Sequence, residues 1–183
     1  DLSVLKGGGP VRGNMELLQA VRHHNPDAFI IYRPHPDVVA GHRNGQLADN
    51  DVLVYADHIS MGGSITNLIW QVQEIHTLTS LAGFEALLRQ RKVVTYGCPF
   101  YAGWGLTTDK GKIPTRRRGR LLTLEELVAG ALILYPRYVD PLTLIPCEVE
   151  TVIERFEDMR VWRPTILMRI KAVQGRMKAM MAR

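Results

Sequence analysis

The sequence predicts an α/β fold: a parallel sheet with helices on both faces. Three observations predict it. Short, continuous apolar runs such as Ala28-Phe29-Ile30-Ile31-Tyr32 look like strands buried on both sides. Segments with apolar residues three and four apart lie between them. The two kinds of segment alternate in units of the length that parallel crossover connections need.

Taken in order, residues 14–24 read as a helix, with Met15, Leu17, Leu18 and Val21 at helical spacing and Asn25-Pro26-Asp27 ending it. Residues 28–32 are a strand closed by Arg33-Pro34-His35-Pro36-Asp37. Residues 52–55 read as a second strand, followed by Ala56-Asp57-His58-Ile59-Ser60. A helix over 64–72 precedes a strand over 74–78 that ends in Thr79-Ser80. A helix over 81–89 and a strand over 93–96 complete the alternation. From 97 to 120 the periodicity disappears into a glycine-rich stretch carrying Phe100, Tyr101 and Trp104; a loop this long in a compact domain is usually functional. The spacing then predicts helices over 124–134, capped by Thr123 with Glu126, over 147–159, and over 165–180.

The 183 residues suffice for one domain with a core of its own. A net charge of +5 and a pI near 9.4 point to an anionic partner without naming it. Much of the excess is local, in Arg116, Arg117, Arg118 and Arg120 and in a tail with no acid after Asp158. Nucleic acid is not an expected partner, because that tail lacks interleaved aromatics beyond Trp162. Cys98 and Cys147 have no ligand spacing, so neither a disulfide framework nor a zinc site is expected, and a reducing cytoplasm fits. No Walker A sequence occurs and the histidines lack metal spacing, so no cofactor and no metal are assigned. No apolar run approaches the roughly 20 residues of a spanning helix, and no signal peptide opens the chain. The first residue is Asp rather than Met, which suggests a piece of a longer protein.

Ligands of open parallel sheets bind at the carboxyl ends of the strands. His35, held between Pro34 and Pro36, can donate to a phosphate oxygen there, and Arg33 adds charge. Thr79 and Ser80 stand at the next such end, where the first turn of the following helix welcomes an anion and Gly83 allows close approach. Local sequence leaves two plainer readings open: a proline-rich turn at 33–37, and simple N-capping by Ser80. Asp57, Ser60 and Glu85 are candidates for ribose, base or sugar contacts. No catalytic triad is present.

Several segments carry a family resemblance. Tyr32-Arg33-Pro34-His35-Pro36-Asp37-Val38 is similar to the Y-[KR]-P-H-P-D-V motif of capsule polysaccharide biosynthesis and export proteins. Residues 79–89, 99–107 and 127–141 match the same family, so the resemblance covers about residues 14–141. One departure is Gln90-Arg91, where the family usually has Gly followed by a basic residue.

The resemblance implies a β-Kdo transferase that builds the oligo-Kdo linker of lipid-anchored capsules (Kdo is keto-deoxy-octulosonic acid). It implies residues 1–141 as a Rossmann-like CMP-sugar-binding domain, the C-terminal nucleotide-binding half of a GT-B-like module, with 142–183 as helices packing on it or on an absent amino-terminal domain. His35, with Pro36 and Arg33, and Ser80, with Thr79 and Gly83, then contact the phosphate of CMP-Kdo. Tyr101 joins the possible sugar contacts. The catalytic residue is expected on the absent domain, and the isolated chain is expected to be inactive. The implied acceptor is an anionic Kdo-bearing lipid, with peripheral contact at the inner membrane through the basic segments. The older family name implies an alternative, a non-catalytic module for polysaccharide export or assembly. Phe100, Tyr101 and Trp104 are expected to pack where the absent domain closes.

Overall fold

A computed structural model describes residues 11–39 and 47–158. Its contacts divide the chain between Leu124 and Glu125, ahead of the boundary at 141 expected from sequence.

In the first unit, helix α1 (Asn14–His24) buries Leu18 and Val21. They join Ile30, Val52, Ala56, Leu78, Val94 and Tyr96 in one apolar cluster. Strand β1 (Ile31–Tyr32) pairs in parallel with β2 (His58–Ile59). Two short helices, α2 (Pro36–Val39) and α3 (Asp49–Val52), fall between them in sequence. Helix α4 (Ile65–Gln71) buries Ile69 and leads to a second ladder. There β3 (Glu74–Thr77), β4 (Lys92–Thr95) and β5 (Thr108–Asp109) run parallel in that order. Helix α5 (Leu81–Leu87) connects β3 to β4 and buries Gly83, Phe84, Ala86 and Leu87.

The alternation of strands and helices is as the spacing predicts, but several elements are displaced. The expected sheet of four strands is divided into ladders of two and three. The strand expected over 52–55 is not one: Val52 closes α3 and residues 53–55 turn. Asp49 and Asp51 favour a helix start there. Val52 alone is buried, while Leu53 and Val54 stand 52% and 68% exposed. With only Val52 buried and Tyr55 packed partly buried against the same cluster, the run lacks the two-faced burial of an inner strand. The strand over 28–32 shrinks to its last two residues for a related reason, since Phe29 is 73% exposed. The unstructured stretch from 97 holds β5 and a 3-10 turn at Thr115–Arg117.

Helix α6 (Leu124–Val128) starts at the last residue of the first unit and continues, in the second, as a π-helical turn over Ala129–Leu134, with the Tyr135 N–H on the Gly130 carbonyl at 3.0 Å. Strands β6 (Tyr138–Val139) and β7 (Pro146–Cys147) pair antiparallel. Because Cys147 is in that ladder, the helix expected from 147 begins later, as α7 (Val149–Glu157). The helix expected over 165–180 lies outside the described residues. No helix among the described residues is long and apolar enough to cross a membrane.

Candidate functional site

The carboxyl ends of β3, β4 and β5 carry a row of polar side chains. Thr77 is opposite Thr95, and Thr95 opposite Asp109. Thr77 and Thr95 are 6% and 0% exposed. A buried hydroxyl must find a partner, and each does. Thr95 Oγ1 donates to Asp109 Oδ1 at 2.8 Å, and Thr77 Oγ1 accepts from the Ser80 N–H at 3.2 Å. Asp109 also accepts from the Thr107 hydroxyl at 2.7 Å and the Gly103 N–H at 3.0 Å. The turn after β3 and the loop after β4 are thus tied to one polar row.

Ser80 is exposed at the start of α5, its Oγ accepting from the Ala82 N–H at 3.2 Å. Thr79 beside it is half-buried, and Glu85 lies one turn further along α5, also half-buried. Beneath them sits Tyr101. Its side chain is 0% exposed, and its hydroxyl donates to the Ser80 carbonyl. Burial pushes the phenol's pKa up, so it stays a donor. Tyr101 therefore cannot touch a sugar directly, contrary to the sequence expectation; it supports Ser80 from behind. Gly83 is explained in the same way. A Cβ there would collide with the Tyr101 hydroxyl, so this glycine makes room for a ring, not for a ligand.

The other two aromatics divide differently. Phe100 is 41% exposed with its ring 5.0 Å from Phe84. Trp104 is half-buried, its Nε1 donating to the Phe100 carbonyl at 2.7 Å and the Arg117 guanidinium 5.2 Å from its ring. Arg117 also donates to the Pro99 and Ala102 carbonyls at 2.8 and 3.1 Å. One of the four clustered arginines is thus spent on holding the loop together.

His35 is exposed after the end of β1, and its carbonyl accepts from the Val38 N–H at 2.9 Å, which starts α2. Pro36 is exposed beside it. Arg33 is turned toward the loop after β2. It donates to Ser60 Oγ at 3.1 Å and to the carbonyls of Gly62 and, at 2.7 Å, Gly63. Arg33 and Ser60 therefore brace one another at the carboxyl ends of β1 and β2.

Asp57 departs from its expected place. It precedes β2 and so stands at the amino end of the ladder, away from the carboxyl ends. Its Oδ2 accepts from the Ile30 N–H at 2.7 Å and from Arg22 at 2.6 Å. Those two donors, the backbone N–H first, hold its carboxyl below the usual range. Its role is to join α1 to β1 and β2. No group of His, Cys, Asp and Glu that could hold a metal is found among the described residues.

Sequence reasoning missed Thr77, Thr95 and Asp109. Thr107-Thr108-Asp109 was the one available signal, a β-prone pair before a carboxylate inside a stretch read as shapeless.

A sequence model described as capsule polysaccharide biosynthesis protein matches residues 1–138. The chain is 50% identical over 151 residues to the capsule polysaccharide modification protein LipA of Neisseria meningitidis serogroup A, covering 82% of this chain and 21% of that protein. It is 44% identical over 138 residues to the lipopolysaccharide-processing protein LpsZ of Rhizobium meliloti, covering 75% and 31%. The chain thus spans a fifth to a third of these curated relatives. Among solved structures it resembles the KpsC β-Kdo 2,7 transferase of Thermosulfurimonas dismutans, with TM-score 0.72 and 44% identity over 84% of this chain and 48% of that one. The KpsC β-Kdo 2,4 transferase of the same organism follows, with TM-score 0.64 and 32% identity over 85% and 45%.

Proposed function

Because this chain belongs to the capsule polysaccharide biosynthesis protein family, we propose that it is the donor-binding part of a bacterial β-Kdo glycosyltransferase that builds the capsular Kdo linker from CMP-Kdo. The observation that carries the reading is the rim of β3, β4 and β5, where exposed Ser80 is fixed from three sides by Thr77, Ala82 and Tyr101. With the Ser80 backbone held through its N–H and carbonyl, and its hydroxyl oxygen accepting from Ala82, the hydroxyl presents its O–H as a donor at a carboxyl-end rim, the place where parallel sheets bind nucleotides. His35, in the family's HP motif after β1, supplies a second contact to the phosphate. Together they stabilise charge on the departing CMP, which is how preorganised donors accelerate such transfers. Arg33 and Ser60 act indirectly, by shaping the loop after β2. The rest of the full protein supplies the catalytic residue and binds an anionic Kdo-bearing lipid at the cytoplasmic face of the inner membrane.

Calorimetric titration of the full-length protein with CMP tests this. CMP binds, and His35→Ala weakens it by about 1–3 kcal/mol, the cost of a hydrogen bond to a charged group. Ser80→Ala costs less, because backbone N–H groups remain. Unchanged CMP affinity in His35→Ala rejects the phosphate role, and absence of CMP binding in the wild type returns the protein to a non-catalytic export module.

A further inference from the structure

The loop between β4 and α6 encloses an open cleft that the phosphate reading does not use. We propose that this cleft binds the carboxylate of an acidic sugar, through residues distinct from His35 and Ser80. It measures about 400 Å³, and Lys112, Arg118 and Arg120 line it. All three are exposed, and among the described residues none is paired with a carboxylate. Asp109 also lines the cleft, but its oxygens face the loop's own donors, Thr95, Thr107 and Gly103. Three cations against one carboxylate leave the lining positive by two charges.

Backbone geometry supports the arrangement. Gly119, between the two arginines, has φ +76° and nothing within 4 Å of where a Cβ would be, so the main chain is open there. Gly103 has φ +84° and packs under Ile113, which holds the opposite wall in place. The cleft follows the carboxyl ends of β4 and β5, in the ladder whose first strand, β3, leads to Ser80. A planar carboxylate suits a pair of guanidinium forks, which bind it in bidentate fashion. The proposal rests on the donor-binding reading, in which the donor sugar and the acceptor sugar both carry that group. The cleft chemistry is common to the two sources.

The full-length protein is compared with Arg120→Gln and with the triple variant Lys112→Gln/Arg118→Gln/Arg120→Gln. CMP affinity is read by calorimetry, and KM is read separately for CMP-Kdo and for a Kdo-bearing acceptor glycan. CMP affinity is expected to stay within about two-fold while one KM rises about ten-fold or more in the triple variant, and less in Arg120→Gln. A rise confined to CMP-Kdo assigns the donor's carboxylate, and a rise confined to the glycan assigns the acceptor's. Both KM values unchanged in a folded variant overturn the proposal. So does a CMP affinity that falls in step with KM. Should the triple variant fail to fold, Arg120→Gln decides alone. Should the wild type not turn over CMP-Kdo, the donor-binding reading fails by itself. The cleft is then judged by NMR titration with free Kdo against its carboxyl-reduced alcohol. Shifts seen with the acid only, and lost in the variants, uphold it; no acid-specific binding overturns it.

Discussion

Ahead of Leu124 the chain builds a buried apolar core, although Phe29, Trp70 and Leu121 stay exposed: Val52, Ile69 and Tyr101 are at most 1% exposed. Beyond it Leu134, Tyr135 and Leu144 stand 81%, 86% and 76% exposed, and Leu127 is the one buried apolar side chain among the described residues. Among the described residues of the second unit, hydrogen bonds instead converge on a carboxylate. Asp140 is 5% exposed and accepts from the Leu142 N–H, the Thr143 hydroxyl and both Nε and Nη2 of Arg155. The first unit is held by area removed from water, which is non-directional and insensitive to pH. In the second, among the described residues, directed bonds from Leu142, Thr143 and Arg155 meet on one ionised group, and they weaken together when that group is protonated.

Removing core volume from the first unit is expected to have the largest effect. Tyr101→Ala opens a cavity under α5 and frees the Ser80 carbonyl, at a cost of about 3–5 kcal/mol. Denaturant unfolding of the full-length protein reads it, and a loss below about 1 kcal/mol would mean that the ring is not part of a close-packed core. In Tyr101→Phe only the hydrogen bond goes, with an expected loss of about 1–2 kcal/mol.

Acid should separate the two units. Hydrogen bonds from Arg155, then from the Leu142 N–H, hold the Asp140 carboxyl at about 2 against an ordinary 3.8. A depressed folded value means the stabilisation is complete above the ordinary pKa and is lost as pH falls through the folded one. Protection of the Leu142 amide, relative to its intrinsic exchange rate at each pH, should therefore fall between pH 4 and 2, with Val93 and Val94 on β4 retaining theirs. Equal protection of Leu142 at both ends of that window would dissolve the contrast.

The smallest effect sharpens the comparison inside the first unit. After α5 the Arg91 N–H bonds the Ala86 carbonyl at 3.0 Å and the Gln90 N–H the Leu87 carbonyl at 2.9 Å, with Gln90 at φ +57°. This is a Schellman turn with glutamine where glycine is favoured. Gln90→Gly removes the strain of a left-handed side-chain-bearing residue and should stabilise by about 0.5–1 kcal/mol. Thermal melting decides; a lower Tm would show that the extra freedom of glycine in the unfolded chain outweighs the relief.

The departure at Gln90 was legible in the sequence as a missing glycine, but its cost needed a backbone angle. Similar limits apply at the site. His35 and Ser80 could be placed because a motif at the end of an apolar run marks a strand end in one dimension. Tyr101 and Asp57 were misplaced because nothing local distinguishes a polar side chain that faces solvent from one that completes another element's hydrogen bonds. Both are used up, one by Ser80 and the other by Arg22 and Ile30.

By itself the sequence determined the α/β alternation, the positions of α1, α4, α5, β3 and β4, and the polar segments that close the strands. Those follow from hydrophobic period and turn chemistry, which act over a few neighbouring residues. The tertiary structure alone decided that Thr77, Thr95 and Asp109 align, that Gly83 yields to a tyrosine ring, and that Lys112, Arg118 and Arg120 share a cleft. Strand register and loop path bring together residues far apart in the chain, and no local period encodes which of them will meet.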